Sequence, residues 1–230
     1  MLVYHTLTKP APKAADLLPE STLLFVDVPD FSKSREEFRK TAAYALWNEP
    51  EVQGLIEKPR AALEEALGLG SSDKKGENGL PTALLNALQG QVFVAVTHVA
   101  LFPQMQAGIV VGADVKGKRL EVMGALYKLE KRLKAQYPGG SFSTESHLGA
   151  KYSVWEIRPG YPICHVWLNS LSVFTLGDEA MHNVIEQFKH SSSTPAAPLS
   201  SSRKYRNVVS RMPEGYEDRK STRLNSSHER

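Results

Sequence analysis

Apolar and polar residues follow two periods along this chain, and the change of period separates strands from helices. Short β-branched runs bounded by Gly, Pro or Asn are typical of strands, whereas apolar residues at i, i+3, i+4 and i+7 indicate a helix. Strands are predicted over residues 22–28, 91–99, 106–113, 141–146, 151–157, 163–167 and 172–176. Helices are predicted to begin after Ser32 or Ser34, at Val52, at Arg60, at Pro81, after Gly117, after Gly177 and at Arg203.

The order of these elements predicts the fold class. Neighbouring strands are joined by short turns, which suits an antiparallel sheet, and the helices come in blocks rather than alternating with the strands. We therefore expect an α+β fold, in which a mostly antiparallel sheet carries helices packed on one face. The clearest helix follows Gly117, where an apolar stripe is expected at Leu120, Met123, Leu126, Tyr127, Glu130 and Leu133.

The composition along the chain predicts its domain organisation. Residues 1–16 are expected to be a linker or the remnant of a lost N-terminus, and residues 17–190 to form the α+β domain. Residues 191–202 are rich in Ser, Pro and Ala, which is typical of a linker. Residues 203–217 are expected to begin a truncated second module, because a hydrophobic-Pro-Glu step recurs there as it occurs before the first strand. Residues 218–228 resemble a translated sequencing adapter, so residues 218–230 are expected to be an artefact.

Composition and charge exclude several classes of protein. The chain of 230 residues is 41% hydrophobic and 23% charged, which is typical of globular proteins. A single cysteine excludes an intrachain disulfide framework, and no apolar run is long enough to predict a membrane span. Residues 218–230 contribute four basic and two acidic side chains, so without them the 28 Lys and Arg and 25 Asp and Glu become 24 and 23. This balance predicts no nucleic-acid partner.

A glycine-containing turn from Gly112 to Arg119 has the context of a phosphate-binding loop, because it lies between a predicted strand and a predicted helix. It fits the pattern G-x-x-x-x-G-K, but Arg119 stands where that motif needs Ser or Thr to bind Mg²⁺. Asp114 within the loop would also repel a phosphate. The turn is therefore interpreted as a strand-to-helix connection with solvated charges, and no cofactor is predicted.

Cys164 and His165 are the strongest candidates for nucleophilic chemistry. Adjacent strand residues point to opposite faces of a sheet, so these two side chains cannot easily pair with each other. A nucleophilic cysteine would need another histidine as its base, such as His98 or His147. A buried, inert cysteine is the favoured interpretation.

Metal and acid–base chemistry have weaker signals. None of the histidines before residue 218 has the spacing of a metal-binding motif, so no metal site is predicted: His5, His98, His147, His165, His182 and His190. Asp27 and Asp30 flank Pro29 at the end of the first strand, and paired carboxylates can perform acid–base catalysis. Here Asp30 is expected to start a turn or cap a helix instead.

Three short segments resemble a known family. Residues 17–30 combine Leu-Pro, a strand and Pro-Asp; residues 47–52 end in a Pro-Glu-Val step; residues 176–179 place Gly-Asp before a helix. Together they resemble bacterial extracytoplasmic proteins of planctomycete and verrucomicrobial type that are grouped as a domain of unknown function. The resemblance implies export behind a signal peptide or lipid anchor, a periplasmic or extracellular location and a duplicated module. It supplies no catalytic residues.

Two hypotheses for the function follow from the sequence. The first is a non-catalytic exported protein that binds a ligand or an envelope or protein partner, with no catalytic, cofactor-binding or metal-ligating residue assigned. The alternative is a hydrolase with a carboxylate and histidine site. The two differ in geometry, because a hydrolase would bring Asp27, His98, His147 and His165 together in one concave pocket.

Overall fold

The computed structural model describes residues 10–54, 87–100, 106–157, 159–189 and 197–211. The strands of the described residues are β1 (Leu24–Val28), β2 (Val92–Ala100), β3 (Gln106–Asp114), β4 (Ser141–His147), β5 (Ala150–Glu156), β6 (Ile163–Leu168) and β7 (Leu171–Leu176). The helices that the structure describes from end to end are α1 (Ala14–Leu17), α2 (Phe31–Phe38), α3 (Ala42–Trp47), α4 (Arg119–Gln136), α5 (Asp178–Lys189) and α6 (Arg203–Val209), and a 3₁₀ turn spans Leu199–Ser201. Residues 50–54 are also helical, so the helix predicted at Val52 begins two residues earlier. The strands form one sheet in the order β1-β2-β3-β7-β6-β5-β4, and every pair is antiparallel.

The predicted α+β class and antiparallel sheet are confirmed. Every predicted strand is present, with its ends shifted by at most two residues. Predictions for residues 1–9, 55–86, 101–105, 190–196 and 212–230, including the helices at Arg60 and Pro81, His5, His190 and the expected artefact, lie outside the described residues. None of the helices that are described is long and apolar enough to cross a membrane.

Helices cover both faces of the sheet, whereas the sequence analysis placed them on one. On the first face, α1 and α5 pack on β2, β3, β5, β6 and β7, and this core includes Leu17, Cys164, Val166 and Ile185. On the second face, α4 packs over β5, β6 and β7 through a smaller core that includes Trp155. The reason lies in the central strands: every residue of β6 is buried or half-buried, so both of its faces need cover.

The buried stripe of α4 differs from the predicted one. The helix buries Val122, Ala125, Leu126 and Leu133, as its packing on the second face of the sheet requires. Three residues of the predicted stripe instead face solvent, where Leu120 is 75%, Met123 44% and Tyr127 70% exposed. The prediction was therefore correct for Leu126 and Leu133 and wrong for these three, because α4 carries apolar residues on two stripes and periodicity alone cannot choose between them.

One helix is predicted between Ser32 or Ser34 and residues 48–50, whereas the structure has two, α2 and α3. Asp30 caps α2, since its carboxylate accepts a hydrogen bond from the Lys33 N–H at 3.0 Å, which confirms the capping role expected for Asp30. The alternative caps Ser32 and Ser34 lie inside α2. Thr41 caps α3 by accepting a hydrogen bond from the Tyr44 N–H at 3.3 Å, so a new helix begins where the sequence pattern appeared continuous.

The described parts of the two predicted linkers, residues 10–16 and 197–202, pack against the sheet or the elements beside it. Ala14 and Leu17 of α1 belong to the first core, as does Leu199 of the 3₁₀ turn. Residues 197–199 run antiparallel to residues 18–20, because the Glu20 N–H donates to the Ala197 carbonyl at 2.7 Å and the Leu199 N–H donates to the Leu18 carbonyl at 2.8 Å. This pairing positions α6 beside β1.

Replacing Ile185 by Ala should lower the free energy of unfolding by about 2–5 kcal/mol, because the side chain is fully buried between α5 and the sheet and its loss leaves a cavity. Urea denaturation followed by circular dichroism measures the change. The matched control is Leu120→Ala on the exposed stripe of α4, for which a change below about 0.5 kcal/mol is expected. Equal losses in the two variants would contradict the packing described for α5.

Candidate functional site

The four residues that a hydrolase would bring together lie at separate places. Asp27 is on β1 and His98 is on the neighbouring strand β2, where its Nε2 lies 4.0 Å from Glu179 of α5. His147 ends β4 at the opposite edge of the sheet. His165 is on β6 and faces the second core beneath α4, so the four side chains do not form one pocket.

A groove lies between α6 and the chain around β1, and we call it the β1–α6 groove. It is a cavity of about 560 Å³, which is within the range that small-molecule sites occupy. Apolar side chains provide most of its wall, and Asp27, Glu20 and Lys204 add polar groups. Its lining includes Leu23, Phe25, Asp27, Lys204, Tyr205 and Val208.

The rings of Phe25 and Tyr205 hold the two sides of this groove together. Their centroids are 6.0 Å apart with the rings tilted at 59°, and Phe25 also contacts Phe93 in the first core. Both residues are half-buried, so each ring keeps a surface toward the groove. Aromatic rings in this arrangement offer a rigid apolar wall at little loss of conformational entropy.

Asp27 lies in the groove but is held by an amide. The Gln91 side-chain N–H₂ group lies 2.9 and 3.0 Å from the two carboxylate oxygens of Asp27. The carbonyl oxygen of the same amide accepts a hydrogen bond from the Ala14 N–H at 3.2 Å. Gln91 therefore connects β1 to the start of α1, and Asp27 has a structural role in addition to its place in the groove.

Three titratable side chains surround the Tyr152 hydroxyl, toward the opposite edge of the sheet from β1. Glu145 Oε2 lies 3.0 Å from it, His182 Nε2 2.9 Å and Asp178 Oδ1 3.4 Å. The arrangement is satisfied when His182 donates to the hydroxyl oxygen and the hydroxyl donates to a carboxylate. Burial, followed by the hydrogen bond to Glu145 and the charge of Asp178, raises the pKa of Tyr152, so the phenol stays protonated.

A second contact joins β4, which carries Glu145, to α5, which carries His182. The rings of His147 and His182 stack with their centroids 4.1 Å apart, and His147 Nε2 lies 3.0 Å from Glu186 Oε1. This group of side chains was not predicted, although two spacings in the sequence indicate it. Asp178, His182 and Glu186 are four residues apart on α5, and Glu145 and His147 are two apart on β4, so each set shares one face of its element. Within the described residues no set of three His, Cys, Asp or Glu side chains is arranged to hold a metal ion.

Cys164 extends this group into the core. Its side chain is 0% exposed, and its thiol donates to Asp178 Oδ1 at 3.3 Å. Burial, followed by the hydrogen bond to Asp178, raises the pKa of the Cys164 thiol to about 12. The thiol is therefore protonated at neutral pH and is a poor nucleophile.

His165 lies on the opposite face of β6, as the sequence predicted. Its Nε2 lies 3.0 Å from the Ser172 hydroxyl, and its ring packs 4.5 Å from the Phe174 ring. Burial, followed by the positive charge of Arg119, lowers the pKa of His165 to about 4, so the imidazole is neutral. Arg119 itself lies over the Trp167 ring at 4.8 Å and donates to the Asn169 carbonyl.

Two backbone donors of the turn that resembles a phosphate-binding loop are occupied within the protein. The Lys116 N–H donates to the Asp114 carboxylate at 3.0 Å, and the Val115 N–H donates to the Ser170 carbonyl at 3.2 Å. The structure requires glycine at both positions of the turn. A Cβ at Gly112 would overlap the Phe93 ring, and Gly117 has a φ of +55°, a conformation that favours glycine. The predicted strand-to-helix turn between β3 and α4 is confirmed. The prediction that its charges are solvated is wrong for Asp114, which is only 7% exposed and accepts the hydrogen bond from Lys116.

The stability of the fold should fall with acid because of His165. The pKa of its imidazole in the folded protein is about 4, below the usual 6.5, so the unfolded chain binds more protons between these values. Wild-type protein should lose up to about 3 kcal/mol from this group as the pH falls from 6.5 to 4. Urea denaturation at several pH values measures the loss, and His165→Gln should reduce it. An unchanged pH dependence in this variant would assign the acid sensitivity to other groups.

The Cys164 thiol should resist modification in the folded protein. We expect Ellman's reagent at pH 8 to label the native chain far more slowly than the urea-unfolded chain, because the thiol is buried and its pKa is raised to about 12. Absorbance at 412 nm follows the reaction. Labelling at equal rates in the two states would show that the thiol is accessible and reactive in the fold.

Comparisons with known proteins add no assignment to this geometry. No family model, no curated protein and no solved structure matches the chain. The function is therefore inferred from the β1–α6 groove and the polar group around Tyr152.

Proposed function

We propose that this chain is an exported, non-catalytic binding protein whose ligand lies in the β1–α6 groove. The observation that carries the proposal is the groove itself, which combines about 560 Å³ of space with a mostly apolar wall and three charged side chains. Ligand sites are typically concave and apolar with a few polar groups that orient the ligand. The resemblance of residues 17–30 and 47–52 to exported bacterial proteins supports the extracytoplasmic location.

The wall of the groove indicates the chemistry of its ligand. Leu23, Phe25 and Val208 favour an apolar group of the ligand. Burial of that group against them stabilises the complex by about 25 cal/mol for every Å² of apolar surface removed from water. Lys204 on α6 can pair with an anionic group at the rim. The ligand is therefore expected to be amphipathic.

A hydrolase is the second candidate, and the group around Tyr152 favours it. His182 and Asp178 both lie within hydrogen-bonding distance of one hydroxyl, as in sites where a base activates a nucleophile. Against this, the raised pKa values of Tyr152 and Cys164 keep both groups protonated at neutral pH. The labelling rate of Cys164 also separates the candidates, since a reactive thiol in the folded protein would favour the enzyme.

The uncharged dye Nile red should bind in the groove and increase its fluorescence. Val208→Glu should weaken this binding about tenfold or more, because Val208 lines the groove and a carboxylate there opposes burial of an apolar dye. Val208 is 57% exposed, so the substitution leaves the core unchanged. A fluorescence titration measures the affinity.

The matched control is Tyr127→Glu, which introduces the same charge at a 70% exposed apolar residue on α4. This variant should bind Nile red as the wild type does. If both substitutions weaken binding equally, or if the wild type binds no dye, the groove is not the ligand site.

A further inference from the structure

Among the strands that the structure describes, β1 lies at one edge of the sheet, and it differs from β4 at the other edge. Leu24, Val26 and Val28 of β1 point to one face, where Leu24 is 54% and Val26 53% exposed. β4 at the opposite edge exposes Ser141, Ser143, Thr144 and Ser146 instead. Edge strands that are not used for pairing are commonly protected by charge, proline or polar residues. The apolar edge at β1 is therefore the one suited to accept a further strand.

The register of the sheet continues this apolar surface inward from the edge. Val26 pairs with Val94, and Val94 pairs with Val111, so three valines form a row across β1, β2 and β3. All three are exposed, at 53%, 40% and 37%. A strand added beside β1 would extend this row with its own side chains, since directly opposite residues on neighbouring strands lie in contact.

The other face of β1 opens into the β1–α6 groove. Phe25 alternates with Leu24 and Val26 along the strand and lines the groove together with Tyr205 and Val208. Alternate side chains of an added strand would therefore meet the valine row on one face and the groove on the other. The chain already shows this type of pairing just before β1, where residues 197–199 lie antiparallel to residues 18–20.

We propose that the β1–α6 groove and the edge of β1 together bind an extended peptide segment of another protein, which adds to the sheet as a strand. This proposal rests on the proposed binding function and names its ligand. Main-chain hydrogen bonds to β1 supply affinity, and side chains at alternate positions supply specificity. The segment carries β-branched residues on one face, and an aromatic and an acidic residue on the other.

The charge of α6 selects an acidic foreign segment over a second copy of this chain. Arg203, Lys204 and Arg206 are exposed on α6, and residues 203–209 contain no acidic residue. If β1 paired with β1 of a second copy, the α6 helices of the two copies would lie on the same face of the joined sheet. Like charges on the two helices repel each other. The groove also contains Glu20 and Asp27, but Gln91 donates to both carboxylate oxygens of Asp27, and the three basic residues of α6 outnumber these two acidic ones. An acidic residue of a peptide is therefore attracted to Lys204.

The probe is a fluorescein-labelled synthetic peptide of sequence Thr-Val-Phe-Val-Glu-Val-Thr, titrated into the full chain and followed by fluorescence anisotropy. Saturable binding is expected, together with slower hydrogen exchange of the amides of β1 on addition of the peptide. Two N-methylated peptides test the backbone pairing. N-methylation of the amides that face β1 should weaken binding about tenfold or more, whereas N-methylation of alternate, outward-facing amides should not.

Side-chain controls test the two faces. Val26→Lys on the exposed face and Val208→Glu in the groove should each weaken binding of the peptide, whereas Tyr127→Glu on α4 should leave it unchanged. A peptide with Lys in place of Glu should bind about tenfold more weakly or worse at low salt. Equal affinity of the Glu and Lys peptides would overturn the charge assignment.

The outcomes separate this inference from the proposed function. Nile red binding without peptide binding, or peptide binding that is insensitive to the position of N-methylation, overturns the added strand and leaves the groove as a ligand site. Absence of both dye and peptide binding overturns both proposals. A dimeric mass of the peptide-free protein in multi-angle light scattering, reduced to a monomer by Val26→Lys, would assign the edge of β1 to a second copy instead.

Discussion

The burial of β6 and β7 on both faces is the constraint on which the rest of the structure depends. Cys164, Val166 and Leu168 of β6 point to one core, while Ile163 and Trp167 point to the other. A strand of this kind can only be central, because each of its faces must be removed from water. α5 and α1 satisfy the first face, and α4 satisfies the second.

The same constraint explains why the other half of the sheet is different. α4 lies over β5, β6 and β7, so the row of Val26, Val94 and Val111 on β1, β2 and β3 stays exposed on that face. On the first face, the pairing of residues 197–199 with residues 18–20 brings α6 close to β1 but leaves a groove between them. The candidate binding surface is thus the part of the sheet that the helices of the two cores do not reach.

Polar groups within the two cores are held in their neutral forms. His165 and Cys164 are neighbours in sequence, yet one faces Phe174 and the other faces Asp178. In both cases desolvation disfavours the charged form, which lowers the pKa of the imidazole and raises that of the thiol. Residues that a sequence motif would assign to catalysis are here groups that pack in a core and satisfy their hydrogen bonds locally.

The strands, the α+β class and the antiparallel pairing can be predicted from the sequence, because alternation and short turns are local properties of the chain. The cap at Asp30 and the separation of Cys164 from His165 can be predicted for the same reason. The buried stripe of α4 cannot be predicted in this way, since Leu120 and Val122 are both apolar and the choice between them depends on what the helix packs against. The β1–α6 groove and the group around Tyr152 bring together residues that are far apart in the sequence, Phe25 and Tyr205 by 180 positions and Tyr152 and His182 by 30, and no local pattern encodes such distances.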